Sequence, residues 1–246
     1  MKITEKAPTP LVDFLARAGF GGKREATRLI AAGRVKVNGQ VETNAQRRVL
    51  PADDHVRVDQ KLIKEIWPPT YILMNKPPRT ISTTYDPQDR KTVYALLGKY
   101  GKVVQSVGRL DYETEGVLLF TNDGTLAHAL TSPTSKVQKV YRVKVKGQVN
   151  AAELQRLRDG VDIGGFRTAP AQVHVLSRGK ANTWLRIKLT EGKYRQVKRM
   201  TKAVGHPVIR LVREKFGPLE AGLLKAGQWR HLHNSEVRQL RSIAGL

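Results

Sequence analysis

The stretch Val107–Gly124, V-G-R-L-D-Y-E-T-E-G-V-L-L-F-T-N-D-G, constrains this chain more than any other. Gly116 to Phe120 is a short apolar run and reads as a buried strand. Asn122-Asp123-Gly124 ends that run and suits the start of a helix predicted from Thr125 to Leu130. Asp111 then sits on a short loop just before a core strand, where a rigid scaffold can present a reactive carboxylate. The same spacing also fits a plain turn closed by Asp111, since Asp is a common turn former.

The partner class follows from charge. Among 246 residues, 44 Lys and Arg face 21 Asp and Glu, a formal net charge of +23. Such an excess points to a polyanion, either nucleic acid or an anionic membrane surface. No apolar run approaches the roughly 18 residues that cross a bilayer, and Met1-Lys2-Ile3-Thr4-Glu5-Lys6 lacks a signal-peptide apolar core. The expectation is a cytoplasmic nucleic-acid-binding protein with no membrane association. A hydrophobic share of 40% supports a packed core. With no cysteine, disulfides, zinc–cysteine sites and thiol catalysis are excluded. The six histidines are scattered without metal-ligand spacing, so no metal site is expected.

Two domains are expected, at 9–66 and 70–246. Thr9-Pro10 reads as a helix start with proline at the first position, and Leu11, Phe14, Leu15 and Ala18 mark the apolar face. A second helix fits Lys23 to Ala32, with Ala26, Leu29 and Ile30 inward and Lys23, Arg24 and Arg28 outward. Arg34 to Val37 alternates, and Asn38-Gly39 supplies a tight hairpin turn. Val56-Arg57-Val58 is a further strand. This unit is either a small solvated domain or a helical pair presenting cations to phosphate. Trp67-Pro68-Pro69-Thr70 reads as the linker. The first 66 residues carry 13 cations and 8 acids, net +5, and the rest 31 and 13, net +18. The larger domain is therefore expected to touch nucleic acid itself.

In that domain Tyr71 to Asn75 reads as a strand broken by Lys76-Pro77-Pro78, and Thr92 to Tyr100 as a helix. Lys139 to Lys146 alternates, with Tyr141, Val143 and Val145 on one face and Arg142, Lys144 and Lys146 on the other. That basic face fits RNA contact or plain solvation equally. Asn150 suits the cap of a helix running to Asp159, and Ala171–Leu176 and Thr183–Leu189 read as strands. From Lys193 to Val204 the spacing is helical. Arg195, Lys198, Arg199 and Lys202 fall at i, i+3, i+4 and i+7, a continuous basic face without acids at i+4 to neutralise it.

The central motif, Gly108-Arg109-Leu110-Asp111 with Thr114, Gly116 and Thr121-Asn122-Asp123-Gly124, closely resembles that of bacterial ribosomal RNA pseudouridine synthases of the RsuA/RluB group. Glu191-Gly192-Lys193-Tyr194-Arg195-Gln196-Val197-Lys198-Arg199-Met200 is similar to a second motif of the group. Lys23-Arg24-Glu25-Ala26, Leu29-Ile30, Gly33-Arg34-Val35 and Val37-Asn38-Gly39 resemble the alpha-L RNA-binding domain, which commonly precedes such enzymes. Gly22 stands where that domain often has Ser, a change of a few tenths of a kcal/mol at a cap.

The resemblance implies an α+β protein: a small RNA-binding domain, then a catalytic domain on a mixed, mainly antiparallel sheet. It implies uridine-to-pseudouridine isomerisation in ribosomal RNA, free or in an assembling subunit, by a monomer without cofactors. Asp111 becomes the nucleophile, Tyr141 the aromatic against the target base, and Lys198 the cation paired with Asp111, with Arg199 as alternative. Many relatives carry Arg at the Lys198 position, so a bidentate fork becomes a point charge. RNA contacts are expected from Lys23, Arg24, Arg28 and Arg34 in front, and from Arg109, Arg195, Arg199 and Lys202 behind. Two other classes compete: a non-catalytic ribosome-assembly factor, which charge and front domain permit, and a metal-dependent nuclease using Asp111, Glu113, Glu115 and Asp123.

Overall fold

A computed structural model describes residues 7–64 and 66–246, and the chain forms two compact units. The first comprises the described residues up to Tyr71 with Leu97–Gln105 and Phe120–Gly124; the second holds the remainder. In the first, strand β1 (Thr9–Pro10) pairs with β4 (Arg48–Val49), and helices α1 (Leu11–Arg17) and α2 (Lys23–Ala31) follow β1. β2 (Val35–Val37), β3 (Gln40–Val41), β5 (Val56–Val58) and β6 (Lys61–Leu62) form a sheet in the order β3-β2-β5-β6. Leu11, Phe14, Leu15, Ile30, Val35 and Val56 are buried together between helices and strands.

Local chemistry explains most of these elements. Asn38 and Gly39 take positive φ (51° and 87°), as a tight hairpin turn requires. Gly22 caps α2 with extended backbone and no side-chain bond. The helix expected from Thr9-Pro10 instead begins at Leu11. Thr9 and Pro10 run extended beside Val49 and Arg48, an edge position that tolerates proline's missing N–H. The stretch read as a plain linker is tied down. The Trp67 amide donates to the Arg17 carbonyl at 2.9 Å, Arg17 Nε donates to the Trp67 carbonyl at 3.0 Å, and the Trp67 ring meets Tyr100 edge-on.

A nine-stranded sheet dominates the rest. It contains β7 (Tyr71–Lys76), β8 (Gln105–Ser106), β9 (Glu115–Thr121), β10 (Lys139–Lys146), β11 (Gln172–Arg178), β12 (Asn182–Leu189), β13 (Val208–Phe216), β14 (Leu219–Glu220) and β15 (Trp229–His231). Its order is β11-β12-β10-β13-β9-β7-β15, with β14 beside β13 and β8 beside β9. The β9–β13 pair is parallel, while the β10, β11, β12, β14 and β15 pairings are antiparallel. The sheet is thus mixed and mainly antiparallel.

The helices here are α3 (Val93–Leu96), α4 (Gly124–Thr131), α5 (Ala151–Asp159), α6 (Gln196–Ala203) and α7 (Asn234–Ile243). The helix expected over Thr92–Tyr100 is divided: α3 ends at Leu96 and a 3-10 turn follows at Gly98–Lys102, where Gly98 has φ 56°. Asn150 caps α5 reciprocally with Glu153. α6 starts at Gln196, later than its periodicity suggests, because Arg195 is left-handed (φ 47°, ψ 35°). α7 has no counterpart among the elements expected from the sequence. Leu240 is its sole fully buried side chain. α5 and α6 cover one face of β10–β13, burying Leu157, Val197 and Met200 against Val143, Leu185 and Ile187.

Candidate active site

Asp111 lies on the turn between Leu110 and β9, and that turn is held from three sides. The Thr114 amide donates to the Asp111 carbonyl at 3.0 Å. The buried Ser82 hydroxyl accepts from the Leu110 amide at 3.3 Å and donates to the Leu110 carbonyl at 2.9 Å. Lys76, at 0% exposure, ends β7 beneath the loop. Its ammonium donates to the carbonyls of Thr114 (2.7 Å), Pro77 (2.9 Å) and Tyr112 (3.2 Å). Burial pulls its pKa down to about 8, against the opposing pull of Glu113, Glu115 and Asp111.

The acid faces a cation delivered from far along the chain. Lys198 Nζ on α6 lies 3.3 Å from Asp111 Oδ2, the two side chains being 30% and 29% exposed. The start of α6 is fixed by Gln196, itself buried. Its side-chain Oε1 accepts from the Lys193 amide at 2.9 Å, and its Nε2 donates to Glu191, which also accepts from the Ala169 amide. This brace sets the turn that carries Arg195 out and Lys198 in. Arg199, the alternative partner, points elsewhere: its guanidinium donates to the carbonyls of Ile163 and Gly164.

Asp111 and Lys198 line a cavity of about 320 Å³ together with Arg109, Thr114, Tyr141, Lys139, Lys193, Arg195, Leu211 and Arg213, among others. Half-buried Tyr141 rises from β10 over the cluster of Val143, Leu185 and Met200. Lys139 Nζ donates to the Val137 carbonyl at 3.0 Å, and its pKa is lowered by burial and by Arg213, against Glu191. Buried Arg213 donates through Nε to the Val117 carbonyl at 2.8 Å. Cations outnumber acids on this wall, which favours a polyanionic guest.

The remaining expected contacts are spread out. Lys202 is exposed on the last turn of α6. On α2, Lys23 pairs with Asp13 at 2.7 Å, Arg28 lies 3.4 Å from Glu25, and Arg24 is exposed. Arg34 is forked onto Asp59, which raises the pKa of the guanidinium and lowers that of the acid. Lys76, Ser82, Lys139 and Arg213 were not singled out by sequence. A lysine closing the apolar run Tyr71–Asn75 was the one available signal.

The nuclease reading fits poorly. Glu115 is bound by the Arg210 fork at 2.7 and 2.8 Å, Asp123 accepts from the Tyr71 hydroxyl at 2.9 Å, and Asp111 faces Lys198. Among the described residues no three His, Cys, Asp or Glu gather as a metal site would require.

The family described as RNA pseudouridylate synthase matches residues 70–203, and the S4 domain matches residues 9–55. The chain is 39% identical to the ribosomal large subunit pseudouridine synthase B of Bacillus subtilis, over 95% of this chain and 96% of that protein. An uncharacterized RNA pseudouridine synthase of Aquifex aeolicus is also 39% identical, over 95% and 94%. A crystal structure of a pseudouridylate synthase aligns with a TM-score of 0.66 and 29% identity, covering 94% of this chain and 98% of that one.

Proposed function

The chain belongs to the RNA pseudouridylate synthase family and carries an S4 domain, and from that premise we propose that it isomerises a specific uridine of large-subunit ribosomal RNA, with Asp111 as the catalytic carboxylate. The observation that carries this reading is the Asp111–Lys198 pair at 3.3 Å, on a rigidly held loop, in a cavity rich in cations. The names of the relatives support the choice of RNA.

The reaction breaks the bond from the sugar to N1 of uracil, turns the base, and forms a bond from the same sugar carbon to C5; C5 loses a proton and N1 gains one, so the product is an isomer. It needs a reactive carboxylate and a base removed from its stack. Asp111 supplies the carboxylate, and Lys198 holds it in place as a point charge. Tyr141 packs against the flipped base. Arg109, exposed at the mouth of the cavity, and Arg195, whose guanidinium lies 5.2 Å from the exposed Tyr194 ring, take the flanking phosphates. Lys202 adds charge along the same helix, while Arg199 acts through the carbonyls it braces. The S4 domain adds cations from Lys23, Arg24, Arg28 and Arg34. A monomer at work in the cytoplasm completes this reading. No helix among the described residues is long and apolar enough to cross a membrane.

The test uses target RNA carrying 5-fluorouridine, whose fluorine blocks the final proton loss. Wild-type protein, with chelator and no added cofactor, is expected to give a long-lived adduct or a rearranged product on full-length RNA. Asp111→Asn keeps the size and binds RNA but gives neither. Unchanged nucleoside at a proven target site would leave the chain a binder, and chelator-sensitive shortening of the RNA would make it a nuclease.

A further inference from the structure

Side chains alternate across β10, so the residues between Tyr141, Val143 and Val145 point away from the cavity and from α5 and α6. They meet the outward residues of β12 in register: Arg142 opposite Arg186, Lys144 opposite Trp184, Val140 opposite Lys188. Arg142, Lys146 and Arg186 are exposed, and Trp184, Lys144 and Lys188 half-buried. Two cations lie near the Trp184 ring, the Arg142 guanidinium carbon 5.3 Å and Lys144 Nζ 5.8 Å from its centroid. Arg142 and Arg186 share one acid, Glu214, at 3.4 and 3.1 Å. Among the described residues, no ion pair engages Lys144, Lys146 or Lys188.

We propose that this outer face of β10 and β12 holds a second, unpaired segment of the substrate RNA, separate from the segment that enters the cavity. The proposal rests on the RNA-modifying reading above. The charge is complementary to phosphate, and an aromatic among cations is the platform on which single-stranded bases stack. A membrane would need apolar side chains to insert, and here the outward valines Val140 and Val212 are half-buried. A protein partner is disfavoured because lysine is depleted in the cores of protein interfaces. Since Tyr141 and Arg142 point to opposite sides of one strand, a short RNA filling the cavity does not reach this face. A longer RNA does.

The test compares wild type with Lys144→Gln/Lys146→Gln/Lys188→Gln, in the full chain, on two RNAs free of protein. One is a short stem-loop holding the target uridine, the other a long ribosomal fragment containing it. For the long fragment the variant is expected to bind on the order of tenfold more weakly at low salt. The slope of log affinity against log salt should fall by about 2, as loss of three phosphate contacts implies. Stem-loop affinity and turnover should match wild type, as should the melting temperature. Unchanged long-fragment binding overturns the proposal and leaves a solvated face. So does an equal loss on both RNAs, which would assign the three lysines to the segment that fills the cavity. Should wild type make no pseudouridine in either RNA, the catalytic reading fails, while the binding isotherms still judge the face.

Discussion

Lys76 shows how one buried residue governs a loop it never enters. Its ammonium holds three carbonyls, and burial sets its pKa at about 8. Below that pH the group is charged in both folded and unfolded chains. Between about 8 and the ordinary lysine value the folded chain has released a proton that the unfolded chain still binds. The contribution of this group to stability therefore rises with pH across that window. Positioning runs the other way, because the neutral amine has one donor fewer for the carbonyls of Thr114, Pro77 and Tyr112. The expected result is a kcat that declines through an apparent pKa near 8 with no matching fall in melting temperature. Lys76→Met should lose that limb and lower kcat at neutral pH by roughly tenfold or more, since each stranded acceptor costs about 1–3 kcal/mol. A flat wild-type profile from pH 7 to 9 would refute this role.

At the scale of elements, β9 and β13 bring the two halves of the site together. They run parallel, with Gly116 opposite Arg213 and Glu115 opposite Val212. Gly116 has φ 103°, and a Cβ there would collide with the Arg213 carbonyl. The glycine after Thr114 in the central motif is thus a requirement of close backbone approach. Gly116→Ala should destabilise the fold by at least roughly 1–3 kcal/mol, the usual cost of such backbone strain, read as a lower denaturant midpoint. It should also weaken catalysis, because Asp111 sits five residues earlier on the same connection. An alanine variant of wild-type stability would mean that the strands separate at no cost.

For the whole molecule, charge and packing divide the chain differently. By charge, residues from 67 onward hold net +18 and should bind RNA alone, steeply dependent on salt. By packing, Leu97–Gln105 and Phe120–Gly124 belong with the front unit, where Thr70 donates to Asn122 at 2.7 Å and Trp67 bonds Arg17. A chain cut before Trp67 should therefore retain salt-sensitive binding with poorer target selection. It should also melt on the order of 5 °C lower or more, about 2 kcal/mol for a chain of this size. Equal melting of cut and full-length chains would show that the Arg17–Trp67 bonds add nothing.

Local rules made much of this legible. Alternation marked β10 and β12, the Asn150 cap marked α5, and Asn38-Gly39 marked the hairpin, because each depends on neighbours a few residues apart. Motif spacing placed Asp111 before a buried strand, and family resemblance implied its pairing with Lys198. Sequence could not show what depends on residues far apart in the chain meeting at one point. The left-handed Arg195, which sends Lys198 inward and leaves Arg199 on the carbonyls of Ile163 and Gly164, is such a case. Lys76 beneath the loop and Ser82 against Leu110 are others, as is Trp184 beside two cations. Periodicity tells which side chains share a face of one element. Only the register between strands and the seating of α6 decide which faces meet, because burial and hydrogen bonding there are settled by packing.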